Sequence, residues 1–596
     1  MSRLINHGIV EVASLTPMSI RMGDPKYNVD QMLELIHEVN KENKKGNHQT
    51  RVVVYPELSV TGYNCGELFN QSALIDSAED EIMRFAQASN SPYNPLIIIG
   101  APVRKDNQLF NCAVIIFKGE ILGIVPKTYL PNYTVLYEAR YFHSSVNRLS
   151  DSIQYGSKEV PFTPNLIFED LTSGAAVSAE LCEDLWMPLA PSSYHCLHGA
   201  NIVGNLSSSN QNFGKTTYRE ELMRIHSSIN VCGYIYTCAT FEESTTDSVF
   251  AGHNIVVSNG TITGDTKYME NKGITYGEVD IEDIQNVRIK SNTYMGVPDK
   301  QTYYKIPYKS FELVSKTFYS NTDISVLPFI PTDSKKDFNK VFDLQFVGLA
   351  QRLKKADCHQ VVVDMHRVDS GILALFATIE AFKWCEFDIS GIQFMFCGNH
   401  WTEELRQRVL ETTRSLKVSQ CMKESEICPN SHISDETMTD IANNKSKDHL
   451  SKSYLYEVNG SIPNTVIFGL IHDYLSRNEM SYSADLVENI LEETDIMVDF
   501  ALWHMLKNGF GPHKIFDMFV NAIQIQRGVV LSSDHKKTIL DELKMFYQNF
   551  FTAQLDRKRP DTVKIYSASI TQNDWRMPAD ASAQVWLRQL DVIEIL

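Results

Sequence analysis

The sequence has no apolar run long enough to cross a membrane. Two of its longest apolar stretches, Leu96–Gly100 and Gln360–Val363, are far shorter than the roughly 20 residues that a membrane-spanning helix needs. No long apolar segment follows Arg3, so no secretory signal is recognisable. We therefore expect a cytoplasmic protein with no membrane partner.

The sequence also lacks an excess of positive charge. Its 55 lysines and arginines are outnumbered by 73 aspartates and glutamates, which gives a formal net charge of −18. Nonspecific binding to nucleic acid or to anionic membranes depends on clustered positive charge. We expect no nucleic-acid partner, and small molecules or proteins fit this charge better.

The sequence also lacks closely spaced pairs of cysteines. The eleven cysteines are an odd number, and none forms a C-x-x-C pair. This usage indicates a reduced cytosolic set and neither a disulfide framework nor a zinc site, so we expect no metal. The 596 residues, 43% of them hydrophobic, are enough for two large folded domains or about four smaller ones.

The spacing of apolar residues divides the chain into three parts. Residues 1–275 alternate short β-rich runs with stretches of helical spacing, which predicts an α/β layered domain. Residues 276–340 contain four prolines in a polar stretch and are predicted to form a crossing linker. In residues 341–596 strands and helices alternate as in a doubly wound parallel sheet, with a helical tail from about 484 to 555.

Three β-rich runs in the first domain each end at a residue with a reactive side chain. These residues are Glu57, Lys127 and Cys182. Residues just beyond the carboxyl ends of strands converge on a crevice in α/β sheets, so we expect the three to meet. In such a set the thiolate attacks a carbonyl or nitrile carbon, the carboxylate transfers protons and the ammonium stabilises the oxyanion.

Spacing alone leaves other interpretations open. Cys182 also fits an inert buried thiol, Glu57 a helix or turn cap, and Lys127 a solvated side chain. Glu183 and Asp184 follow the cysteine directly, and nearby carboxylates raise the pKa of a thiol. A reactive thiol here needs a cation close by, and Lys127 is the candidate.

Four motifs resemble the carbon–nitrogen hydrolase (nitrilase) superfamily. They are Pro56-Glu-Leu-Ser-Val-Thr-Gly-Tyr63, Val125-Pro-Lys-Thr-Tyr-Leu-Pro131, Glu180-Leu-Cys-Glu-Asp-Leu-Trp186 and Gly204-Asn-Leu-Ser-Ser-Ser209. Glu242-Glu-Ser-Thr-Thr-Asp247 narrows the resemblance to the glutaminase half of the glutamine-dependent NAD synthetases. The resemblance implies an α-β-β-α sandwich for residues 1–275.

The resemblance also implies roles for individual residues. Cys182 corresponds to the nucleophile, Glu57 to the general base and Lys127 to the stabiliser of the tetrahedral intermediate. Glu138 corresponds to a supporting second glutamate. The positions that shape the glutamine pocket are Tyr133, Glu183, Trp186 and Ser209.

One pocket position departs from the family pattern. Lys215 falls where an arginine is expected to hold the substrate carboxylate. Arginine grips a carboxylate through two parallel hydrogen bonds, whereas lysine offers a point charge. We therefore expect weaker or altered glutamine binding.

The resemblance extends to the end of the chain, through Phe500–Ile515 and Asp574–Ser582. It implies that the second domain is a Rossmann-like member of the N-type ATP pyrophosphatases. Their signature after the first strand is Ser-Gly-Gly-x-Asp-Ser. The corresponding stretch here reads Met365-His-Arg-Val-Asp-Ser370.

This stretch predicts a degenerate ATP loop. The family's glycines let the backbone approach pyrophosphate, but His366 and Arg367 carry bulky side chains and Met365 removes a hydroxyl. Only Asp369 and Ser370 remain, and no counterpart of the family's Gly-Thr-Gly-Asp-x-Ser-Glu segment is recognisable. Two alternatives stay open: the arginine contacts phosphate through its side chain, or the aspartate and serine only cap a helix.

Three functions follow from these features. The first is thiol-dependent hydrolysis of glutamine to glutamate and ammonia, without metal or cofactor, beside an inactive synthetase-like domain. The second is full synthesis of NAD from deamido-NAD, ATP and glutamine, which adds ATP and Mg. The third is a non-catalytic scaffold or regulatory subunit. The family resemblance implies a homo-oligomer, or a hetero-oligomer with an active paralogue.

Overall fold

The structure is a computed structural model. It describes residues 5–243, 248–267, 270, 272–296, 301–312, 320, 324–330, 334–398, 401–414, 416, 418–421, 432–443, 455–478, 493–553, 562–571, 574–578 and 580–595. The chain divides into two compact units, Met1–Thr322 and Asp323–Leu596.

The first unit contains seventeen strands and five α-helices within the described residues. The strands are β1 (Ile9–Leu15), β2 (Val52–Val54), β3 (Leu96–Lys105), β4 (Gln108–Phe117), β5 (Glu120–Pro126), β6 (Asn132–Tyr133), β7 (Leu136–Tyr137), β8 (Ser152–Tyr155), β9 (Lys158–Pro161), β10 (Leu166–Asp170), β11 (Ala176–Leu181), β12 (Ile202–Ser207), β13 (Gly233–Cys238), β14 (Asn254–Ser258), β15 (Thr261–Thr266), β16 (Ile274–Asp280) and β17 (Tyr304–Tyr308). The helices are α1 (Pro25–Lys45), α2 (Ser72–Ala88), α3 (Pro191–Leu197), α4 (Lys215–Asn230) and α5 (Ile281–Lys290).

Helix α1 shows how local sequence signals define an element. Asp24 accepts a hydrogen bond from the Tyr27 backbone N–H and Pro25 occupies the first turn, both common features of helix starts. Gly46 ends the helix with a left-handed φ of 80°, a conformation that glycine adopts without steric cost. Between these ends an apolar stripe is buried, which turns one face of the helix toward a sheet.

Two sheets form the centre of the first unit. One has the order β16-β1-β2-β3-β4-β5 and the other the order β15-β14-β13-β12-β11-β10-β17. Val52 and Val54 lie in an apolar core together with residues of the second sheet, whereas Val53 lies in the core formed with α1 and α2. Gly204 of β12 permits the close approach of the sheets, because a Cβ there would lie 3.0 Å from Val54 Cγ2.

The outer face of the second sheet is covered by helices as well. Met223 of α4 shares a buried core with Tyr234 and Tyr236 of β13. The layers therefore run helix, sheet, sheet, helix, and the α-β-β-α sandwich predicted for residues 1–275 is confirmed.

The predicted linker of residues 276–340 is largely wrong. Its first part completes β16 and forms α5, and β17 adds a parallel edge strand to β10. The division between units falls after Thr322. Pro307 misled the prediction because proline is tolerated in an edge strand, where its missing N–H costs no ladder hydrogen bond.

The second unit alternates helices and short strands. Its described elements are α6 (Ser334–Ala356), β18 (Val361–Met365), α7 (Val368–Cys385), β19 (Ile392–Phe396), α8 (Glu403–Arg414), β20 (Ser419–Gln420), β21 (His432–Ser434), α9 (Met438–Ala442), β22 (Tyr456–Glu457), α10 (Asn464–Arg477), α11 (Glu493–Trp503), α12 (Pro512–Arg527), α13 (Ser533–Thr552) and α14 (Gln584–Asp591). Residues 484–492 of the predicted helical tail lie outside the described residues, and α11 to α13 form the rest.

The sheet of the second unit is parallel, with the order β20-β19-β18-β21-β22. The predicted doubly wound fold is confirmed. The strand order reverses at β18, and ligands of such sheets bind where the order reverses, beyond the carboxyl ends of the strands. Among the described residues of both units, no helix is long and apolar enough to span a bilayer.

The packing between the two sheets predicts the effect of one substitution. Ile98 of β3 is fully buried in the inter-sheet core, so Ile98→Ala should lower the free energy of unfolding of the first unit by about 3 kcal/mol. Ile289→Ala is the matched control, because this side chain is 79% exposed. Urea-dependent hydrogen exchange of β2 and β3 measures both, and equal effects would contradict the assignment of the core.

Candidate active site

The first unit holds a buried ion cluster centred on Lys127. Its Nζ donates to Glu57 Oε1 at 2.6 Å and to Glu138 Oε1 and Oε2 at 2.7 and 2.8 Å. The side chains of Lys127 and Glu57 are fully buried. Charges withdrawn from water are costly unless they are paired and hydrogen-bonded, so the other partners of the carboxylates decide how well the cluster is held.

Glu57 receives hydrogen bonds from three directions. Besides Lys127, the side-chain amide of Asn111 in β4 donates to Oε1 at 2.8 Å, and the backbone N–H of Ser208 donates to Oε2 at 3.0 Å. Burial nevertheless raises the pKa of Glu57 to about 7; Lys127 opposes this rise and the charge of Glu138 adds to it. The carboxyl group is therefore poised to exchange protons near neutral pH.

The backbone around Glu57 can adopt its position only because the neighbouring strand has a glycine. A Cβ at Gly100 of β3 would lie 2.3 Å from the carbonyl oxygen of Pro56 and 2.4 Å from the nitrogen of Leu58. The Gly100 carbonyl in turn accepts from the N–H of Val60 at 3.1 Å. Only glycine permits the backbone around Glu57 to lie directly against β3.

Glu138 forms the far side of the cluster. Its Oε1 accepts from the Tyr63 hydroxyl at 2.6 Å, and its Oε2 accepts from Asn111 at 3.4 Å. Burial disfavours the charge on Lys127, but Glu138 and Glu57 outweigh it and raise the pKa of the lysine well above its usual value. The lysine is therefore a permanent cation between two carboxylates.

Cys182 lies where β11 ends and the short 3-10 helix Cys182–Trp186 begins. Its φ of 42° falls in the left-handed region, which residues with a side chain rarely adopt. Such backbone strain concentrates at functional sites. The thiol interacts with the charges of Glu57 and Lys127 and with the Ser208 N–H. The structure thus brings together the three residues predicted to be catalytic.

The thiol is protonated in this resting site. Burial raises the pKa of Cys182 well above its usual value; Glu57 raises it further and Lys127 opposes the rise. The sequence predicted such a rise from Glu183 and Asp184. That attribution is wrong, because the rise comes mainly from burial and Glu57.

Asp184 instead stabilises the turn that contains Cys182. Its Oδ1 accepts from the backbone N–H groups of Thr128 and Tyr129 at 3.2 and 2.8 Å, and its Oδ2 accepts from the N–H of Leu181 at 3.1 Å. The carboxylate thereby joins the end of β11 to the segment that follows β5. The relative position of Cys182 and the ion cluster depends on this link.

Four of the predicted pocket residues form two contacting pairs. The Tyr133 hydroxyl in β6 donates to both carboxylate oxygens of Glu183, at 2.8 and 2.9 Å. Trp186 stacks on Tyr218 with ring centroids 5.7 Å apart, and Lys215 Nζ lies 5.3 Å from the centroid of the Trp186 ring. Aromatic and charged groups therefore border the approach to the thiol.

Lys215 and the last predicted pocket residue, Ser209, have further contacts. Lys215 begins α4 and donates to Asn210 Oδ1 at 2.6 Å. Burial lowers the pKa of Lys215, and interaction with Cys182 counters this decrease. Ser209 is buried, and its N–H donates to Cys238 Sγ at 3.4 Å.

The motif Glu242–Asp247 is described only in part. Glu243 is present, and its Oε1 accepts from the backbone N–H of Tyr63 at 2.6 Å. Residues 244–247 lie outside the described residues. The motif therefore touches the site through Tyr63, whose hydroxyl binds Glu138.

In the second unit, the loop between β18 and α7 holds the carboxylate of Asp435. Its Oδ2 accepts from the N–H groups of His366 and Arg367 at 2.8 and 3.3 Å and from the Ser370 hydroxyl at 3.0 Å, and its Oδ1 lies 2.6 Å from His366 Nδ1. Asp435 is 1% exposed. N–H groups at a helix start form a cradle for anions, and here the anion is the chain's own carboxylate.

The Arg367 side chain is held by carboxylates and not turned into the cradle. Its guanidinium lies 2.9 Å from Asp369 Oδ2 and 3.4 Å from Asp440 Oδ1. Asp369 Oδ1 also accepts from the Ser370 N–H at 2.9 Å, in the first turn of α7. Met365 is fully buried at the end of β18. Three of the five residues of the predicted loop, His366, Arg367 and Ser370, are thus bound to acidic side chains.

Ser434–Asp440 occupies the position for which no counterpart was predicted. It follows β21, which pairs in parallel with β18, and it has the seven-residue length of Gly-Thr-Gly-Asp-x-Ser-Glu. Its last two residues, Thr439 and Asp440, carry a hydroxyl and a carboxylate, as the last two residues of that motif do. That the motif has no recognisable counterpart in this chain stays a prediction.

Three residues of these sites were not predicted from the sequence. Asn111 offered one signal, a polar residue within the largely apolar strand β4. Ser208 binds Glu57 through its backbone N–H, which the residue type does not reveal. Asp435 follows a strand of only three residues, too short to recognise by its pattern.

Solved structures of similar proteins include a glutamine-dependent NAD(+) synthetase from Cytophaga hutchinsonii. It aligns with 98% of this chain and 100% of its own at 15% identity, with a TM-score of 0.40. An amidase from Nesterenkonia sp. AN1 aligns with 48% of this chain and 97% of its own at 17% identity, with a TM-score of 0.37.

Sequence comparison defines the class of protein. Residues 11–289 match the family model described as carbon-nitrogen hydrolase, so the first unit contains a domain of this class. The glutamine-dependent NAD(+) synthetase of Mycobacterium bovis is 26% identical over 686 aligned positions, which cover 98% of each chain. That of Homo sapiens is 29% identical over 256 positions, 41% of this chain and 35% of its own. Over nearly its full length the chain is therefore similar to glutamine-dependent NAD(+) synthetases.

The order of the turn around Cys182 should depend on the side chain of Asp184. Asp184→Ala leaves three backbone N–H groups without their acceptor, which should lower the free energy of unfolding of the first unit by about 3 kcal/mol. It should also speed hydrogen exchange in residues 176–190. Asp76→Ala is the matched control, because it removes a surface ion pair with Arg104 worth about 1 kcal/mol or less. Unchanged exchange in residues 176–190 would contradict the role of Asp184.

Proposed function

We propose that the first unit hydrolyses the side-chain amide of glutamine, and that the second unit does not synthesise NAD. One observation carries the first part: Cys182 lies at the buried pair of Glu57 and Lys127. A thiol, a proton acceptor and a cation are together sufficient for amide hydrolysis through a covalent intermediate. Similarity over nearly the whole chain to relatives named as glutamine-dependent NAD(+) synthetases supports glutamine as the amide.

In the proposed reaction the nucleophile forms only when the substrate is present. Glu57 takes the thiol proton while Cys182 Sγ attacks the amide carbon, and Lys127 stabilises the negative oxygen of the tetrahedral intermediate. The C–N bond breaks, Glu57 returns the proton to the leaving nitrogen, and ammonia departs from a thioester. Water then attacks the thioester and gives its proton to Glu57, which releases glutamate and restores the thiol. No metal or organic cofactor takes part.

The pocket residues suit the two charges of a free amino acid. Lys215 supplies the cation that binds the substrate carboxylate. A lysine acts there as a point charge, whereas an arginine would form two parallel hydrogen bonds. Glu183 supplies a carboxylate for the ammonium group and is held by Tyr133. Trp186 and Ser209 complete the pocket.

The second part rests on the contacts of Asp435. A triphosphate needs the N–H groups of His366 and Arg367, but they already bind a buried carboxylate. A second anion there would face Asp435 in a site of low dielectric, where like charges repel strongly. The residues of this loop do not fit ATP, and we derive no step through ATP or Mg.

One observation favours the alternative, a functional NAD synthetase. Thr439 and Asp440 keep a hydroxyl and a carboxylate where the family motif has serine and glutamate. The guanidinium of Arg367 lies near them, with its side chain 37% exposed. In this alternative the arginine releases its carboxylate partners and binds phosphate.

Incubation of the purified full-length protein with glutamine, ATP and deamido-NAD distinguishes these functions. We expect ammonia and glutamate but neither AMP nor NAD. Cys182→Ala should reduce ammonia release by at least about 10³-fold, because no nucleophile remains. Cys358→Ala, which removes a half-buried thiol of the second unit, should keep the activity.

The same experiment can reject either part of the proposal separately. ATP-dependent formation of NAD would reject the inactive second unit and leave the glutaminase standing. Absence of ammonia release, or full activity of Cys182→Ala, would reject the glutaminase and favour the scaffold function.

The pH dependence of ammonia release follows from the pKa of Glu57. Since the base must be deprotonated to accept the thiol proton, kcat/KM should fall as the pH drops through about 7. Glu138→Gln removes a negative charge that raises this pKa, so the acid limb should move to lower pH. A limb that stays in place or moves upward would contradict the assignment of Glu57 as the base.

A further inference from the structure

A second set of reactive side chains lies in the second unit, at the ends of three adjacent parallel strands. Cys397 follows β19, His366 follows β18 and Asp435 follows β21. His366 stands where the family signature after the first strand has a glycine. The ends of these strands therefore bring three reactive side chains to one edge of the sheet.

The imidazole of His366 lies between the other two groups. Its Nδ1 is 2.6 Å from Asp435 Oδ1, and the ring interacts with Cys397, whose Sγ also donates to the Met395 carbonyl at 3.7 Å. Asp435 is buried, the His366 side chain is 20% exposed and Cys397 is half-buried. The carboxylate is thus enclosed, whereas the imidazole and the thiol are partly exposed.

We propose that Cys397, His366 and Asp435 form a second nucleophilic centre, which takes acyl groups from activated esters or thioesters. The thiolate of Cys397 is the nucleophile, and the imidazolium of His366 is its counter-ion and the proton donor. Asp435 is a positioning residue that orients the imidazole. A nucleophile, a base and an orienting carboxylate in this order recur on unrelated folds and are recognised by their geometry.

The local charges support the ion pair of thiolate and imidazolium. Burial disfavours the charge on the imidazole, but hydrogen bonds and charge interactions with Asp435 and Cys397 raise the pKa of His366 to about 10. The next charged side chain, Arg367, is paired with Asp369 and Asp440. An imidazolium beside the cysteine stabilises the negative sulfur that attacks the acyl carbon.

The arrangement favours a nucleophilic centre over a metal site. Metal ligands converge on one point, and among the described residues the groups of three ligand atoms within 4.8 Å of one another do not include this trio. Here the imidazole separates the thiol from the carboxylate, as proton transfer along the line requires.

The acyl transfer balances with the groups present. Cys397 Sγ attacks the carbonyl carbon, the bond from this carbon to the leaving oxygen or sulfur breaks, and the leaving group takes the proton of His366. Water then attacks the resulting thioester and gives one proton to the imidazole. The acid is released, and the thiolate and imidazolium are restored.

The first test measures the thiolate directly. Iodoacetamide alkylation of Cys397 in the full-length protein is followed by mass spectrometry from pH 5 to pH 9. We expect Cys397 to be alkylated at least about 10-fold faster at pH 6 than Cys358, the internal control with similar exposure. His366→Asn and Asp435→Asn should each slow the alkylation of Cys397 and leave that of Cys358 unchanged.

The outcome in the unsubstituted protein decides this test even if a variant fails to fold. A Cys397 that is alkylated no faster than Cys358 would overturn the proposal. So would fast alkylation that both folded variants retain, because the pair would then have no part in it.

The second test concerns the acyl transfer. Cys182→Ala protein removes the thiol of the first unit and is mixed with p-nitrophenyl acetate. We expect a burst of about one equivalent of nitrophenolate and an acetyl group on Cys397, both lost in the double variant Cys182→Ala with Cys397→Ser. No burst, or acetylation on other residues only, would reject acyl transfer whether or not the first unit hydrolyses glutamine.

Discussion

One buried ammonium balances two buried carboxylates, and the site of the first unit depends on this balance. Lys127 contacts Glu57 and Glu138 within 2.8 Å, and no side chain of the three is more than 4% exposed. Enclosing an ion costs several kcal/mol unless partners replace the lost water; Asn111 and Tyr63 are such partners. Burial and the negative charge of Glu57 together raise the pKa of Cys182, which makes the neutral thiol its stable form.

The sequence was sufficient to predict the main features of both folds and the reactive residues of the first unit. Glu57, Lys127 and Cys182 each follow a strand recognisable by its apolar run, and strands of such sheets end at a common edge. The departure of the second unit's loop from a phosphate-binding pattern was also visible, because His366 and Arg367 stand where bare backbone is required.

The features that were not predicted depend on strand register and on pairing between residues far apart in the sequence. Asn111 meets Glu57 across 54 residues and Ser208 meets it across 151, so neither contact leaves a local pattern. Strand β17 was taken for part of a linker because its pairing with β10 spans more than 130 residues. Asp435 is informative only once the short strand β21 is known to lie beside β18.

The two units place a cysteine at strand ends but surround it with opposite charge. Cys182 faces a surplus of negative charge and therefore needs a base at the moment of attack. Cys397 faces an imidazole whose charge is sustained by Asp435. The Asp435 carboxylate accepts hydrogen bonds from the N–H groups of His366 and Arg367, which a triphosphate would need. The same carboxylate stabilises the imidazolium of His366, which the proposed thiolate needs as its counter-ion. A single acidic residue beside His366 therefore accounts for both the proposed loss of nucleotide chemistry and the proposed gain of a nucleophile.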